Sequence, residues 1–495
     1  MLLLEAGLPD RKLTLHMPAA FSTLFKSRYD WAYHTAPQPF LNQRGLYWPR
    51  GKGLGGSSAI NAMIYTRGHP SDYDHWQALG NTGWSFADVL SYFKKAEHQE
   101  RGASEYHGVG GPLNVADLRC TNPLSHAFVA AGVELGICHN PDFNGSTQEG
   151  VGFFQLTQKD GSRHSAAAAY LRPVRRRRNL TIRTRTHVGR VLFERRRAVG
   201  VMVMEDGRSQ CIRAAREVLL CAGAVNSPHL LMLSGVGCAD HLRTFDIPVV
   251  ADLPGVGHNL QDHLVVAVAY ACTQRLSMAR AGTLGNILRY LLLRTGPLAS
   301  NITEAAGFIR TRPDLLAPTC RCSSRRSIIS IMAFPDRLVT PLPSWPPCYA
   351  RRVGDTFAWL LAIPSHRSVI DPRYLSEEPD LKTLLNGLGL CRRLAQAKAL
   401  ASFRGLEISP GSAAKGDAAL VAYIRQTAET CYHPVGTCKV GLDALAVVDP
   451  FLRVQGVEGL RVVDASIMPT IVSGTTNAPT IMIAEKAADL IRYSS

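Results

Sequence analysis

Residues 217–237 read EVLLCAGAVNSPHLLMLSGVG. The apolar run Val218–Ala222, closed by Gly223, has the continuous hydrophobicity of a strand buried on both faces. The next residues read as a glycine turn and then a helix, with Pro228 near its first turn. The end of the chain repeats this order. GLRVVDASIMP (Gly459–Pro469) is a buried strand ending in Asp464, and NAPTIMIAEKAADLIRY (Asn477–Tyr493) is a helix opened by a proline and closed by an arginine near its C-terminus. Short apolar strands alternating with helices predict a parallel α/β layer.

Working outward, LLLEAG (Leu2–Gly7) is a further short strand ending in an acid and a glycine. FADVLSYFKKAEH (Phe86–His98) carries apolar residues at helical spacing. Leu180–Met204 reads as LTIRT and RVLFE, then AVGVMVME, with a turn between, and Asp142–Gly161 alternates as an antiparallel strand does. These antiparallel-looking stretches predict a second domain inserted into the parallel layer. The expected division puts residues 1–120, 165–260 and 430–495 in the first domain, and 121–164 and 261–429 in the second. From about Thr319 to Ser368 the texture breaks into Arg, Ser, Pro, Cys and Trp without periodicity. A structureless run of that length inside a domain is suspicious, and a local frameshift, restored downstream, is the expectation.

Composition is that of a globular protein, with 46% apolar and 19% charged residues in 495. No apolar stretch approaches the roughly 18 residues of a spanning helix, and, with no basic stretch or cleavage site before LLLEAG, no secretory signal is expected. The expected location is the cytoplasm, with peripheral contact at the inner membrane left open. The net charge of +16 comes largely from Arg175–Arg178, Arg195–Arg197 and the arginines of 310–352. Without aromatic interleaving or a zinc-finger or helix-turn-helix pattern, this charge reads as a solvated face rather than a nucleic-acid site. Membrane-surface contact is the remaining alternative. Twelve scattered cysteines without paired spacing read as buried free thiols, Cys221 among them, and no metal site is expected.

Several residues point to chemistry. Glu5 ends its strand where a dinucleotide fold places a carboxylate on ribose hydroxyls, although a surface acid is the plain alternative. Gly51–Ile64 (GKGLGGSSAINAMI) lets backbone N–H groups approach a phosphate or a flat ring closely, or is a simple glycine-rich turn. Asp464 suits a hydrogen bond to a cofactor's linker. His433 in CYHPVGT precedes a proline, which favours an extended loop position. A histidine there can take a hydroxyl proton, and Asn477 can hold the same oxygen.

WPRGKGLGGSSAINAMIYTRGHPSDYD (Trp48–Asp74) resembles the first signature of the glucose–methanol–choline oxidoreductases, and GAVNSPHLLMLSGVG (Gly223–Gly237) their second. YHPVGTC, VVDASIMP and NAPTIMIAEKAAD are similar to their C-terminal block in order and spacing, and DLPGVGHNLQDH (Asp252–His263) and VIDPRYL (Val369–Leu375) to further segments. The look is that of choline-dehydrogenase-like and aliphatic alcohol dehydrogenases. The resemblance implies an FAD-binding doubly wound (Rossmann-like) domain and an inserted α+β substrate domain built on an antiparallel sheet. It implies Glu5 on the ribose, Gly55, Gly56, Ser57, Asn61, Ala62, Met63 and Ile64 along the flavin, Val188 near the adenine, and Asp464 and Ala465 near the flavin's chain. His433 and Asn477 would face the reactive ring atom. Ile60 stands where some relatives carry a histidine linked to the flavin, so non-covalent FAD is expected. The resemblance also matches Glu304 in NITEAAGF to an acid that meets cationic substrates in choline-type members. The implied reaction is oxidation of choline or an aliphatic primary alcohol by hydride transfer, with a quinone-like acceptor.

This sequence departs from the pattern in places. Ala168 and Thr475 replace an arginine and an asparagine, and no GxGxxG turn precedes Glu5. The expectation is a chain lacking its first βα unit, with a start codon placed too far downstream as the simplest cause. An inactive remnant unable to retain FAD, and an oxygen-using alcohol oxidase, stay open as alternatives.

Overall fold

The apolar runs from distant parts of the chain meet as strands in the computed structural model, which describes residues 1–205, 207–274, 276, 281–310, 317–318, 320–325, 329–335 and 369–493. Val218–Leu220 pairs in parallel with Leu460–Val462, and Leu2–Glu5 pairs in parallel with Thr181–Thr184. The parallel layer is therefore present. Among the described residues these two pairs stand apart rather than in one continuous doubly wound sheet, and Val236–Gly237 with Ala251–Asp252 and Glu97–Gln99 with Leu113–Val115 form two further parallel pairs. Leu2 and Leu219, one on each of the first two pairs, are exposed.

The helix after the first strand spans Gly223–Leu233, and Pro228 is its sixth residue rather than part of its first turn. Proline has no N–H, so the Ala224 carbonyl loses its helical donor. The Thr437 hydroxyl donates to that carbonyl instead, at 2.7 Å. A buried carbonyl needs a partner, and here it comes from the loop that carries His433.

His187–Glu194, Arg197–Glu205 and Arg208–Arg213 form a three-stranded antiparallel meander. Phe86–Ala96 is the expected helix, started by a reciprocal cap between Ser85 and Asp88. Its apolar face, with Val89 and Phe93, shares a core with Met482 and Ile483 of the helix Asn477–Tyr493.

The second unit is an antiparallel sheet. Its strands run in the order Arg404–Ser409, Leu264–Cys272, Ile329–Pro335, Cys320–Arg325, Ala305–Ile309 and Gly150–Phe153, with Glu429–Thr430 also on Leu264. The helix Glu378–Gln396 packs Leu384, Leu388 and Leu394 against Val266 and Val268 of that sheet. Part of the stretch expected to be anomalous thus supplies two of its strands. Residues 336–368, where the frameshift expectation mainly falls, lie outside the described residues.

The thiols divide. Cys320, Cys322, Cys391 and Cys438 are buried, whereas Cys138, Cys211 and Cys221 are exposed. Cys221 is solvent-accessible just past the end of its strand Val218–Leu220, although desolvation still pushes its thiol up to about 12. Arg175–Arg178 and Arg195–Arg197 are exposed, as a solvated face requires. Among the described residues no helix is long and apolar enough to cross a membrane.

Candidate active site

The strand Leu2–Glu5 delivers the chain directly to the glycine loop. Leu8 bridges Gly53 in parallel, and Leu54 N donates to Leu8 O at 3.0 Å. A Cβ on Gly51 would lie 2.1 Å from the Gly56 carbonyl oxygen, so only glycine allows this fold-back. Gly55 and Gly56 have φ of 93° and 53°, in the left-handed region. A Cβ on Gly56 would meet nothing within 4 Å among the described residues, so the turn opens on free space. Glu5 Oε1 accepts from Gly7 N at 2.7 Å. Burial pushes its pKa up, against the pull of the Gly7 and Gly53 N–H groups and Lys52. Thr186 N donates to Glu5 O, and Val188 follows two residues later at the start of the meander. Glu5, the loop and Val188 are therefore brought together.

The far end of the loop is held from several sides. Asn61 Oδ1 accepts from Met63 N at 3.0 Å and from Arg163 Nη1 at 2.8 Å. Met63 has φ 60°, which costs a residue with a Cβ. It is held there because its carbonyl accepts from Thr157 N at 2.8 Å and the Ala62 carbonyl accepts from Asn301 at 3.1 Å. Ile64 then pairs with Leu156. Arg163, which sequence reasoning missed, is buried, and its Nε and Nη2 have no hydrogen-bond partner among the described residues. Burial lowers its pKa to about 9. No motif announces it; only the fold puts it under Asn61.

His433 sits where three distant segments meet. Its N–H donates to Asp262 Oδ1 at 2.7 Å, and Asp262 Oδ2 also accepts from Tyr374 and Thr430 hydroxyls. The imidazole Nδ1 lies 3.0 Å from Nδ1 of His263, with the rings at 88°. One of these nitrogens must donate and the other accept, so both rings cannot be protonated together without setting two N–H groups against each other. Burial, then the charges of His263, Arg321 and Arg50, holds His433 well below the ordinary histidine range. His263 is the second residue that sequence reasoning passed over, as part of a segment quoted only for its resemblance.

A hydrogen-bonded scaffold runs from His433 towards Asn477. Gln261 and Val435 exchange backbone bonds, and the Gln261 side chain holds Pro469 O and Ile471 N. Cys438 N donates to Ser466 O and Gly436 N to Ala465 O. Ser473 binds Asp72, Thr475 binds Thr66, and Asn477 then opens its helix. The threonine replacing the expected asparagine is thus paired with Thr66 at 3.0 Å. Asp464 is buried, and its oxygens accept from Gly223 N, Ser227 Oγ, Ser466 N and Ser466 Oγ at 2.5–2.8 Å. Its carboxylate joins the two strand–turn units to each other.

Glu304 is fully buried and accepts from Asn122 N, Ser125 Oγ and Ser300 Oγ at 2.7–2.8 Å. It anchors the start of the helix Pro123–Glu134.

These residues suit a dinucleotide with a flat ring. The glycine turn opens on space that a Cβ would not obstruct, and the buried Arg163 has donors to spare beside Asn61. A model of the GMC oxidoreductases matches residues 15–265, and a second with the same description matches 362–484. The chain belongs to the GMC oxidoreductase family. It is 44% identical to alcohol dehydrogenase [acceptor] of Pseudomonas putida, over 99% of this chain and 90% of that one. It is 46% identical to mitochondrial choline dehydrogenase of Mus musculus, over 99% and 85%. The structure of pyridoxine 4-oxidase from Mesorbium loti superposes with a TM-score of 0.87 at 31% identity, over 100% of this chain and 94% of that one. A formate oxidase shares the fold, with a TM-score of 0.89 at 23% identity. This GMC oxidoreductase is an FAD enzyme that oxidises alcohols at CH–OH groups, with a Rossmann-like FAD domain and a substrate domain.

Proposed function

We propose that the chain oxidises a primary alcohol, aliphatic or choline-like, to the aldehyde and delivers the electrons to a quinone-like acceptor. The observation that carries this is the His263–His433 pair, with the His433 backbone held on Asp262. With His433 donating from Nδ1, its Nε2 lone pair takes the substrate hydroxyl proton, and Asn477 holds the same oxygen. Positioned proton transfer of this kind is worth about 10²–10⁴ in rate. FAD, when bound, supplies the hydride acceptor.

Glu5 would hold the ribose and Val188 the adenine, while Gly55–Ser57 and Asn61–Ile64 would line the flavin, with Asp464 and Ala465 at its chain. Ile60 offers no nucleophile, which supports non-covalent FAD. Glu304 already serves three donors, which favours an aliphatic alcohol over a cationic one. The domain division proposed is 1–120, 165–260 and 430–495 for FAD, and 121–164 and 261–429 for substrate. The reaction is placed in the cytoplasm, at the inner membrane's face where a quinone would be met.

The test is anaerobic mixing of the yellow protein with hexan-1-ol or choline, followed by air. Bleaching by the alcohol with no peroxide on readmission is expected. Stoichiometric peroxide would overturn the acceptor, and a colourless protein that no alcohol reduces would overturn the reaction.

A further inference from the structure

The helix Leu284–Leu293 (LGNILRYLLL) has two apolar faces where a surface helix normally has one. Its inner face is Tyr290, fully buried, with Ile287 packed beside Leu298 and Ala299. On the outer face Leu284, Leu288, Leu291 and Leu292 recur at the i, i+4, i+7, i+8 spacing of a single stripe, and all four are exposed, Leu284 and Leu292 by 72% and 78%. Leu293, on the far side of Arg289, is exposed as well. Contiguous apolar surface of this kind on a water-facing helix marks an interaction site.

Charge says what covers it. Between Asp262 and Glu304 the sequence has no acidic residue, while Arg289 and Arg294 flank the stripe. Arg294 ends the helix and lines a cavity of about 920 Å³ together with Lys159, Arg172, Val174 and His16, with Asp160 the acid there. Arg172 is also paired with Asp10 at 3.4 Å. The exposed run Arg175–Arg178 follows Val174 directly. A leucine stripe bordered by guanidinium and ammonium groups has the chemistry of a helix lying in the headgroup boundary of an anionic bilayer. At ten residues it is too short to span one.

We infer that the outer face of Leu284–Leu293 docks the protein on an anionic membrane surface, with Leu284, Leu288, Leu291 and Leu292 inserted and the neighbouring basic residues on the headgroups. The position suits the proposed acceptor, on whose reading this deepening rests. A few residues beyond Arg294, Ala299 O accepts from Gln158 and Asn301 donates to the Ala62 carbonyl of the flavin-side loop. The docked helix is thus joined, through residues a few positions past its end, to the flavin-side loop.

The experiment is sedimentation of the full chain with phosphatidylcholine vesicles, with and without phosphatidylglycerol. Because it involves no turnover, its failure and the failure of the alcohol reading are separable. The wild-type protein should pellet only with the anionic vesicles and be released by salt. The Leu288→Asn/Leu292→Asn double variant should bind about tenfold more weakly, with its flavin content unchanged. As a further check, Leu284→Trp should show blue-shifted fluorescence on the anionic vesicles. No binding by the wild type, binding indifferent to the leucine substitutions, or no shift at Trp would overturn the inference. So would a dimer that the double variant converts to monomer, since a second copy would then be what covers the stripe.

Discussion

Replacing His263 with phenylalanine keeps a flat ring beside His433 and deletes the 3.0 Å Nδ1–Nδ1 hydrogen bond. A single such bond is worth about 0.5–1.5 kcal/mol net, which converts to roughly a two- to thirteen-fold fall in the rate of flavin reduction. That is less than the drop of about 10²–10⁴-fold expected when His433→Ala removes the base itself. The pH dependence gives a second, sharper readout. Burial lowers the His433 pKa most, and the charge of His263 is the next cause, ahead of Arg321 and Arg50. Removing His263 deletes one of the charges disfavouring the proton, so the His433 pKa must rise. The base is needed neutral, and the acid limb of kcat/KM therefore moves to higher pH. Anaerobic stopped-flow bleaching across pH measures both quantities, with FAD content checked first. His263→Asn, which can still exchange a hydrogen bond, should recover part of the rate. A phenylalanine variant with wild-type rate and an unmoved acid limb would refute the coupling of the two rings.

Three more outcomes rest on single contacts. Gly51→Ala places a methyl 2.1 Å from the Gly56 oxygen; strain of about 1–3 kcal/mol should weaken FAD retention roughly five- to 150-fold, and full flavin content after dialysis would count against the loop's role. His107 is opposed by burial, but bonds to Asp142 and Glu97 outweigh it and raise its pKa to about 9. The folded state then holds this proton more tightly than the unfolded chain. Its stabilisation, on the order of 3 kcal/mol, is complete below about pH 6.5 and lost as pH rises through about 9. The urea midpoint should fall over that window in the wild type and much less in His107→Gln; equal slopes would sink the assignment. Thr437→Val strips the Ala224 carbonyl of its donor and should cost about 1–3 kcal/mol in the same assay, whereas an unchanged midpoint would mean that the carbonyl finds another partner.

The elements that could be read from the sequence are those whose period and punctuation are local. The run at Val218, the glycine after it, the apolar spacing of Phe86–His98 and the paired strands from Thr181 to Glu205 carry their signals within a few residues. Pro228 shows the limit: its position is local, but its tolerance depends on Thr437. Glu304 shows the same limit for function. A buried acid that anchors a helix and one that greets a cation look alike until the donors around it are seen. Arg163 and His263 were missed because a lone arginine or histidine carries no spacing.

By itself the sequence determined the α/β layer, the antiparallel second unit and the glycine loop, because strands, turns and helix starts are written in neighbouring residues, whereas His433 and Asn477 were candidates on residue type and resemblance. Only the tertiary structure decided that Asp262, His263, Tyr374 and Thr430 converge on His433, that Asp464 joins the two strand–turn units, and that the leucines of 284–293 face outward. Burial and hydrogen-bond partnership are set by residues tens to hundreds of positions apart, and no local pattern can specify them.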